Sequence, residues 1–349
     1  MLGILFRFFK GSAITLVVGL VLAYFAGEAF HLGGGKAVFI TLILSVLEVS
    51  LSFDNAVVNA TVLKDMDHVW RKRFMTWGML IAVFGMRVVF PVLIVAVIAH
   101  VNPFAAFMMA VNSPDQYAQT LTSAHVVVAG FGGTFLLMVF LKFFLDKEKD
   151  VHWIRVIESP LSQIGRMQSF EIAACLMAVY AMSSAMHEHE QLPFLLASMA
   201  GLACYILVDG FSALLESGEE KKHGHGVATT AVRTGLSAFL YLEVLDASFS
   251  FDGVIGAFAL SNNIFIIAIG LGVGAMFVRS LTVMFVEQGT LDQFRYLEHG
   301  AFYAIGALAA IMFLGTVHEI SEVVTGLIGA GFIGLALIAS IRHNRLKEE

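Results

Sequence analysis

VLEVSLSFDNAVVNA, residues 46–60, lies inside an apolar run long enough to cross a bilayer, yet it carries Glu48, Asp54, Asn55 and Asn59. A carboxylate near the centre of a bilayer costs roughly 2.5–3.5 kcal/mol on insertion scales. Two in one span require a partner or a task. The stretch recurs as LEVLDASFSFDGVIGAFA, residues 242–259. At a constant offset Asp246 falls on Glu48, Ser248 on Ser50, Ser250 on Ser52, Phe251 on Phe53 and Asp252 on Asp54. The rest of the chain is read outward from this pair.

Of the 349 residues, 58% are hydrophobic and 14% are charged. Soluble domains carry about 25% charged residues, so the composition predicts an all-α, polytopic membrane protein forming a single integral membrane domain over residues 1–349. Cys175 and Cys204 both sit in apolar runs, which argues against a disulfide framework. The first thirty residues have the charged start of a signal peptide, but their apolar run is too long and reads as a membrane anchor.

Hydropathy predicts ten spans: 12–30, 37–63, 74–99, 121–145, 169–187, 192–215, 231–260, 264–286, 299–317 and 322–341. The connections alternate in basic content. Lys64, Arg71, Lys72 and Arg73 crowd one connection, the next (100–120) has no Lys or Arg, and Lys142, Lys147, Lys149, Arg155 and Arg166 follow. That alternation is the positive-inside pattern, and it predicts both termini on the cytoplasmic side of the cytoplasmic membrane. The second span then runs inward and the seventh outward. The two acidic stretches are thus expected to belong to an inverted repeat, with halves over about 12–187 and 192–341, as in many transporters. Arg87 in the third span matches Arg279 in the eighth, and His125 opening the fourth matches His299 opening the ninth.

Glu48, Ser52, Asn55 and Asn59 have the spacing of one helix face. Asp54 falls about 120° away on an ideal helix, so a break near Ser52–Asn55 is expected to bring both acids to one place. Glu243 and Asp246 share a face, and Asp252 needs a second break, which Gly253 would make cheap. Broken helices at the midplane would gather Glu48, Asp54, Glu243, Asp246 and Asp252, with Asn55, into an oxygen-rich site. Such sites suit hard divalent cations such as Mn²⁺, Ca²⁺ and Mg²⁺. Ser52, Asn59 and Ser250 would support the site. Arg87 and Arg279 would orient its carboxylates and moderate its charge, although two arginines cannot neutralise five acids.

These motifs resemble the paired acidic motifs of TerC-type integral membrane proteins. The first copy in that family reads roughly E-x5-D-N, as at Glu48, Asp54 and Asn55, and the second E-x2-D-x5-D, as at Glu243, Asp246 and Asp252. FGGTFLLMVFLKFF, ending past Lys142, also resembles the family's Gly-Gly span with its following lysine. The family is associated with tellurium resistance and manganese export. The resemblance implies that Glu48, Asp54, Asn55, Glu243, Asp246 and Asp252 line a divalent-metal site. The chain departs from the family at Gly253, where a small hydroxyl residue is common, and in having more spans than the usual seven or so.

Smaller features carry less. HEHEQ at 187–191 lacks the second histidine of a zinc-protease helix, and HEISE at 318–322 offers only His318 and Glu322 as a ligand pair. KKHGHG at 221–226 reads as a flexible loop, and Asp209 as a residue of an exit path. No phosphate-binding loop or nucleic-acid signature is present, which excludes ATP-driven pumping by this chain alone. Three functions compete: export of a divalent cation against protons, a scaffold or sensor in a metal or tellurite stress system with a structural metal, and an intramembrane hydrolase. The missing HExxH disfavours the third, so no enzyme is expected. Burial favours a protonated carboxyl and a cation favours an ionised one, so protons and metal would compete for the same acids. Expected partners are lipid, the ion, protons, and a second copy or stress-system proteins.

Overall fold

The computed structural model describes residues 2–348, apart from 79, 147, 148, 150, 166–168, 221–234 and 319; within this range, side chains at 2–6, 211–220, 251, 252, 259, 292, 322, 323, 347 and 348 are also outside the description. Lys221, Lys222, His223 and His225 therefore lie outside the described residues, as do the side chains of Asp252 and Glu322.

Among the described residues every regular element is helical. α1 (Leu2–Ala29) leads into α2 (Gly34–Leu51) and α3 (Phe53–Asp65), and the short α4 (His68–Arg73) precedes two π-helical stretches, Phe74–Gly78 and Ile81–Val89. α5 (Phe90–Ile98) is followed by α6 (Pro103–Asn112) and α7 (Pro114–Ser123), two short helices where a connection too short to span was expected. α8 (His125–Phe144), α9 (Arg155–Ile164), α10 (Phe170–Ser184) and α11 (Glu188–Glu220) follow; then come α12 (Gly235–Leu260), α13 (Ile264–Glu287), α14 (Thr290–Gln293), α15 (Leu297–Gly315) and α16 (Glu322–Glu348).

Eight helices among the described residues are long and apolar enough to cross a membrane. Of the ten expected spans, the two outside that number are α10, only 15 residues long, and α12, which carries three carboxylates in 26 residues. Large apolar side chains cover much of the surface, and the mainly hydrophobic interior also holds charged groups. Val17, Phe25, Leu196, Leu207, Leu327 and Ile338 are exposed, whereas Glu48, Asp54, Arg87 and Glu243 are buried.

Two glycines on α13 set the packing that holds the site. A Cβ at Gly274 would fall 2.5 Å from Glu48 Cβ, and one at Gly270 would fall 2.6 Å from Leu44 Cβ. Spaced four apart, they form the small face that lets two helix backbones approach in a membrane. α13 thereby lies directly against α2 and over Glu48. A second pair centres on α8, which packs on α11 and α15. α8 and α15 are antiparallel: His125 at the start of α8 lies near Gly315, and His299 at the start of α15 meets Phe143 near the end of α8.

The expected break in the first acidic stretch is present. α2 stops at Leu51 and α3 starts at Phe53, with Ser52 at φ −103°, ψ 16° between them. That conformation is sparsely populated, and the Ser52 hydroxyl donates to Glu48 Oε1 at 3.0 Å. The second stretch differs from expectation. α12 runs unbroken from Gly235 through Gly253 to Leu260, because a single glycine costs a helix only about 1 kcal/mol and does not by itself end it.

Candidate functional site

The polar stripe read from the helix period faces one place. Glu48, Ser52, Asn55 and Asn59 line a cavity of about 50 Å³ together with Asp246, Ser250, Arg87 and Arg279. A water needs roughly 10–15 Å³ of such space, so the cavity takes a few waters or one ion. Asn59 Nδ2 donates to Asp246 Oδ1 at 3.2 Å, which ties the first acidic stretch to the second. Arg87 donates through Nη2 to Glu48 and through Nη1 to the Ala82 carbonyl. Arg279, its expected counterpart, donates from Nη2 to the Met75 carbonyl at 2.6 Å.

Several oxygens in this region are buried and accept no hydrogen bond from the described residues. They are Asn55 Oδ1, Asn59 Oδ1, Ser250 Oγ and both carboxylate oxygens of Glu243. Buried polar atoms are nearly always satisfied, and leaving one bare costs about 1–3 kcal/mol. Five such oxygens lie in this region, beside two donors, Arg87 Nε and Arg279 Nε, that likewise have no partner among the described residues.

The expected group of five carboxylates includes Asp252, whose side chain lies outside the described residues. Among the described residues no three His, Cys, Asp or Glu side chains come close enough to hold a metal ion. Asp54 is absent from the lining of the first cavity. It lines a second cavity of about 30 Å³ with Glu48, Phe249, Gly253, Thr325 and Gly329, so the interruption at Ser52 does bring Glu48 and Asp54 to one place. In the first turn of α3 Asp54 Oδ1 accepts from the Asn55 amide at 3.0 Å. Glu48 and Ser52 line both cavities and form the wall between them. Glu243 sits beside the first cavity with its carboxylate against Gly78, where a Cβ would fall 2.7 Å from Oε1. Gly253 opens the second cavity, although a methyl there would only touch Glu48 Oε2 at 3.5 Å.

A second buried charge cluster lies in the connection between α8 and α10, and sequence reasoning passed over it. Glu158 on α9 is fully buried. Its carboxylate accepts from the Trp153 amide at 3.2 Å, the Ile154 amide at 3.0 Å and the Tyr303 hydroxyl at 3.2 Å. Lys149 Nζ lies 3.1 Å away, and His299 Nε2 lies at 3.5 Å. The ammonium also sits over the rings of Phe143 and Phe144. Burial alone would push the Glu158 pKa up; the Ile154 amide, Lys149 and His299 outweigh it and hold the pKa below the ordinary value. Burial pushes the Lys149 ammonium the other way, toward its neutral form.

The remaining candidates are peripheral. Asp209 faces Lys142 at 3.8 Å across two exposed side chains. His187 and His189 stack at 6.0 Å, and His189 reaches Glu190 at 3.9 Å. Cys175 and Cys204 are free thiols.

Exposed apolar side chains and eight candidate spans among the described residues are those of a polytopic helical membrane protein. The chain belongs to the family described as "Protein of unknown function (DUF475)", whose model matches residues 53–347. A stretch of 100 residues, 27% of the chain, is 30% identical to the "Uncharacterized membrane protein YceF" of Bacillus subtilis (strain 168) and covers 38% of that protein's length. No solved structure matches the chain significantly.

Proposed function

We propose that the chain is a secondary transporter that exports a divalent metal cation, with manganese the favoured ion and protons the counter-substrate. The observation that carries this reading is the set of bare oxygen acceptors, Asn55 Oδ1, Asn59 Oδ1 and Ser250 Oγ, on the wall of a cavity that also holds the Glu48 and Asp246 carboxylates. Oxygen ligands of that kind suit Mn²⁺, Ca²⁺ or Mg²⁺ better than softer metals. The resemblance to TerC-type proteins favours manganese among them.

An inverted repeat of ten spans in the cytoplasmic membrane fits the same reading. Arg87 and Arg279, expected counterparts, line one cavity, and His125 and His299 sit at opposite ends of the antiparallel α8 and α15. With both termini cytoplasmic, a cysteine placed at Gln191 reacts with an impermeant thiol reagent in intact cells.

The deciding experiment is transport by the purified full chain in proteoliposomes, with Mn²⁺, Ca²⁺ and Mg²⁺ offered separately across a pH gradient. Mn²⁺ flux that Asp246→Asn abolishes is the expected result. Metal-dependent stabilisation without flux of any ion would sink the transporter and favour the scaffold or sensor, a reading to which the internal pairing of Arg87 with Glu48 lends itself.

A further inference from the structure

Resting on the transport reading, we infer that Arg87 is a built-in counter-cation: its guanidinium holds the place of the transported ion at Glu48 in the empty protein, and the ion must displace it. The guanidinium and the carboxylate are both buried. They meet at the edge of the cavity whose asparagine oxygens have no partner. Guanidinium does not lose its proton in proteins, so it keeps Glu48 neutralised when no metal is present. Glu48 is therefore never left as a bare buried carboxylate, costly in itself, on the return of the empty carrier.

The backbone around Arg87 is suited to its release. Arg87 lies on the π-helical stretch Ile81–Val89, a rare geometry that is frequent at functional sites. Ala82, whose carbonyl accepts the second arm of the guanidinium, lies five residues earlier, where a π turn presents its acceptor. Tightening the stretch by one residue to α geometry would turn the positions beyond it by about 100°, carrying Arg87 away from Glu48. A resting place for a disengaged guanidinium is visible at Arg279, which lines the same cavity but is held by a backbone carbonyl, Met75 O, on the neighbouring π stretch. One arginine is engaged with a carboxylate and the other is parked.

An arginine that merely orients Glu48 gives the opposite signs in every test. Mn²⁺ titrated calorimetrically into the purified full chain should bind R87Q about tenfold more tightly than the parent, the equivalent of about 1.4 kcal/mol. In R87A, millimolar guanidinium chloride should compete with Mn²⁺, while the parent is indifferent to it. In the parent itself, Mn²⁺ should raise amide hydrogen exchange over residues 81–89 as the arginine lets go. If the parent binds Mn²⁺ and R87Q binds it equally or less well, the counter-cation is overturned and the transport reading stands. Unchanged or slower exchange over 81–89 in the Mn²⁺-bound parent overturns it as well, even if neither variant folds. No Mn²⁺ binding and no flux by the parent or R87Q overturns the transport reading itself.

Discussion

Two buried carboxylates in this protein live under opposite conditions. Glu158 receives two backbone amides, a tyrosine hydroxyl and an ammonium, all within 3.2 Å. Glu243 is also buried, and neither of its oxygens accepts a hydrogen bond from the described residues. The first acid is tied off from every side and serves to fasten α9 onto the ends of α8 and α15. The second, with the bare oxygens of Asn55, Asn59 and Ser250 nearby, is left open. Burial of charge therefore says little about role. What separates fastening from binding is whether the protein supplies all the partners itself.

The largest expected effect tests the fastened side. Glu158→Ala strands Lys149 in a buried, aromatic setting, and breaking a buried pair in this way costs roughly 3–5 kcal/mol. Unfolding of the purified variant in detergent measures it, and a loss under about 1 kcal/mol would remove the contrast between the two regions. Next comes the open side. Asp246→Asn should lose metal-dependent stabilisation, which in the parent reaches about 2.7 kcal/mol at a hundredfold excess over Kd. Its metal-free melting temperature should be no lower than the parent's, and a lower one would show that Asp246 is structural.

A smaller effect is the acid sensitivity of the fastened region. The folded pKa of Glu158 lies below its ordinary value of 4.5. The unfolded chain therefore binds more protons in the window just below 4.5, and stability falls as pH drops through it. Glu158→Gln should flatten that part of the stability–pH curve; an unchanged slope would assign it to other groups. The smallest effect is expected at Glu243→Gln, which keeps the shape of a side chain that has no hydrogen bonds to lose. Its metal-free stability should stay within about 1 kcal/mol of the parent. A drop as large as that of Glu158→Ala would mean that Glu243 is fastened too.

The helix period made the polar stripe of Glu48, Ser52, Asn55 and Asn59 legible, and those residues do line one cavity. The interruption at Ser52 was legible from the phase of Asp54. Its consequence was legible only in part: Glu48 and Asp54 share one cavity, while Glu48 and Asp246 share another. Gly253 misled because a glycine permits a break without compelling one. The π stretches left no local signal, since no residue type selects that geometry. Glu158 was hidden in a charged connection that reads as solvated, and only the fold brings Lys149, His299 and Tyr303 to it. The spacing of Gly270 and Gly274 could have announced the close packing of α13 on Glu48.

The cluster around Glu158 also makes the two ends of one helix pair unlike. It joins the connection after α8 to the first turns of α15 through His299 and Tyr303, at the end where Phe143 and Phe302 stack. The opposite ends, where His125 lies near Gly315, are held by close packing instead: a Cβ at Gly132 would fall 2.9 Å from Met312 and one at Gly133 2.7 Å from Phe313. α8 has 20 residues, a lever of about 30 Å. A tilt of about 5° about the charged end would displace the far end by about 2.6 Å, which the close seating of Gly132 and Gly133 on Met312 and Phe313 opposes.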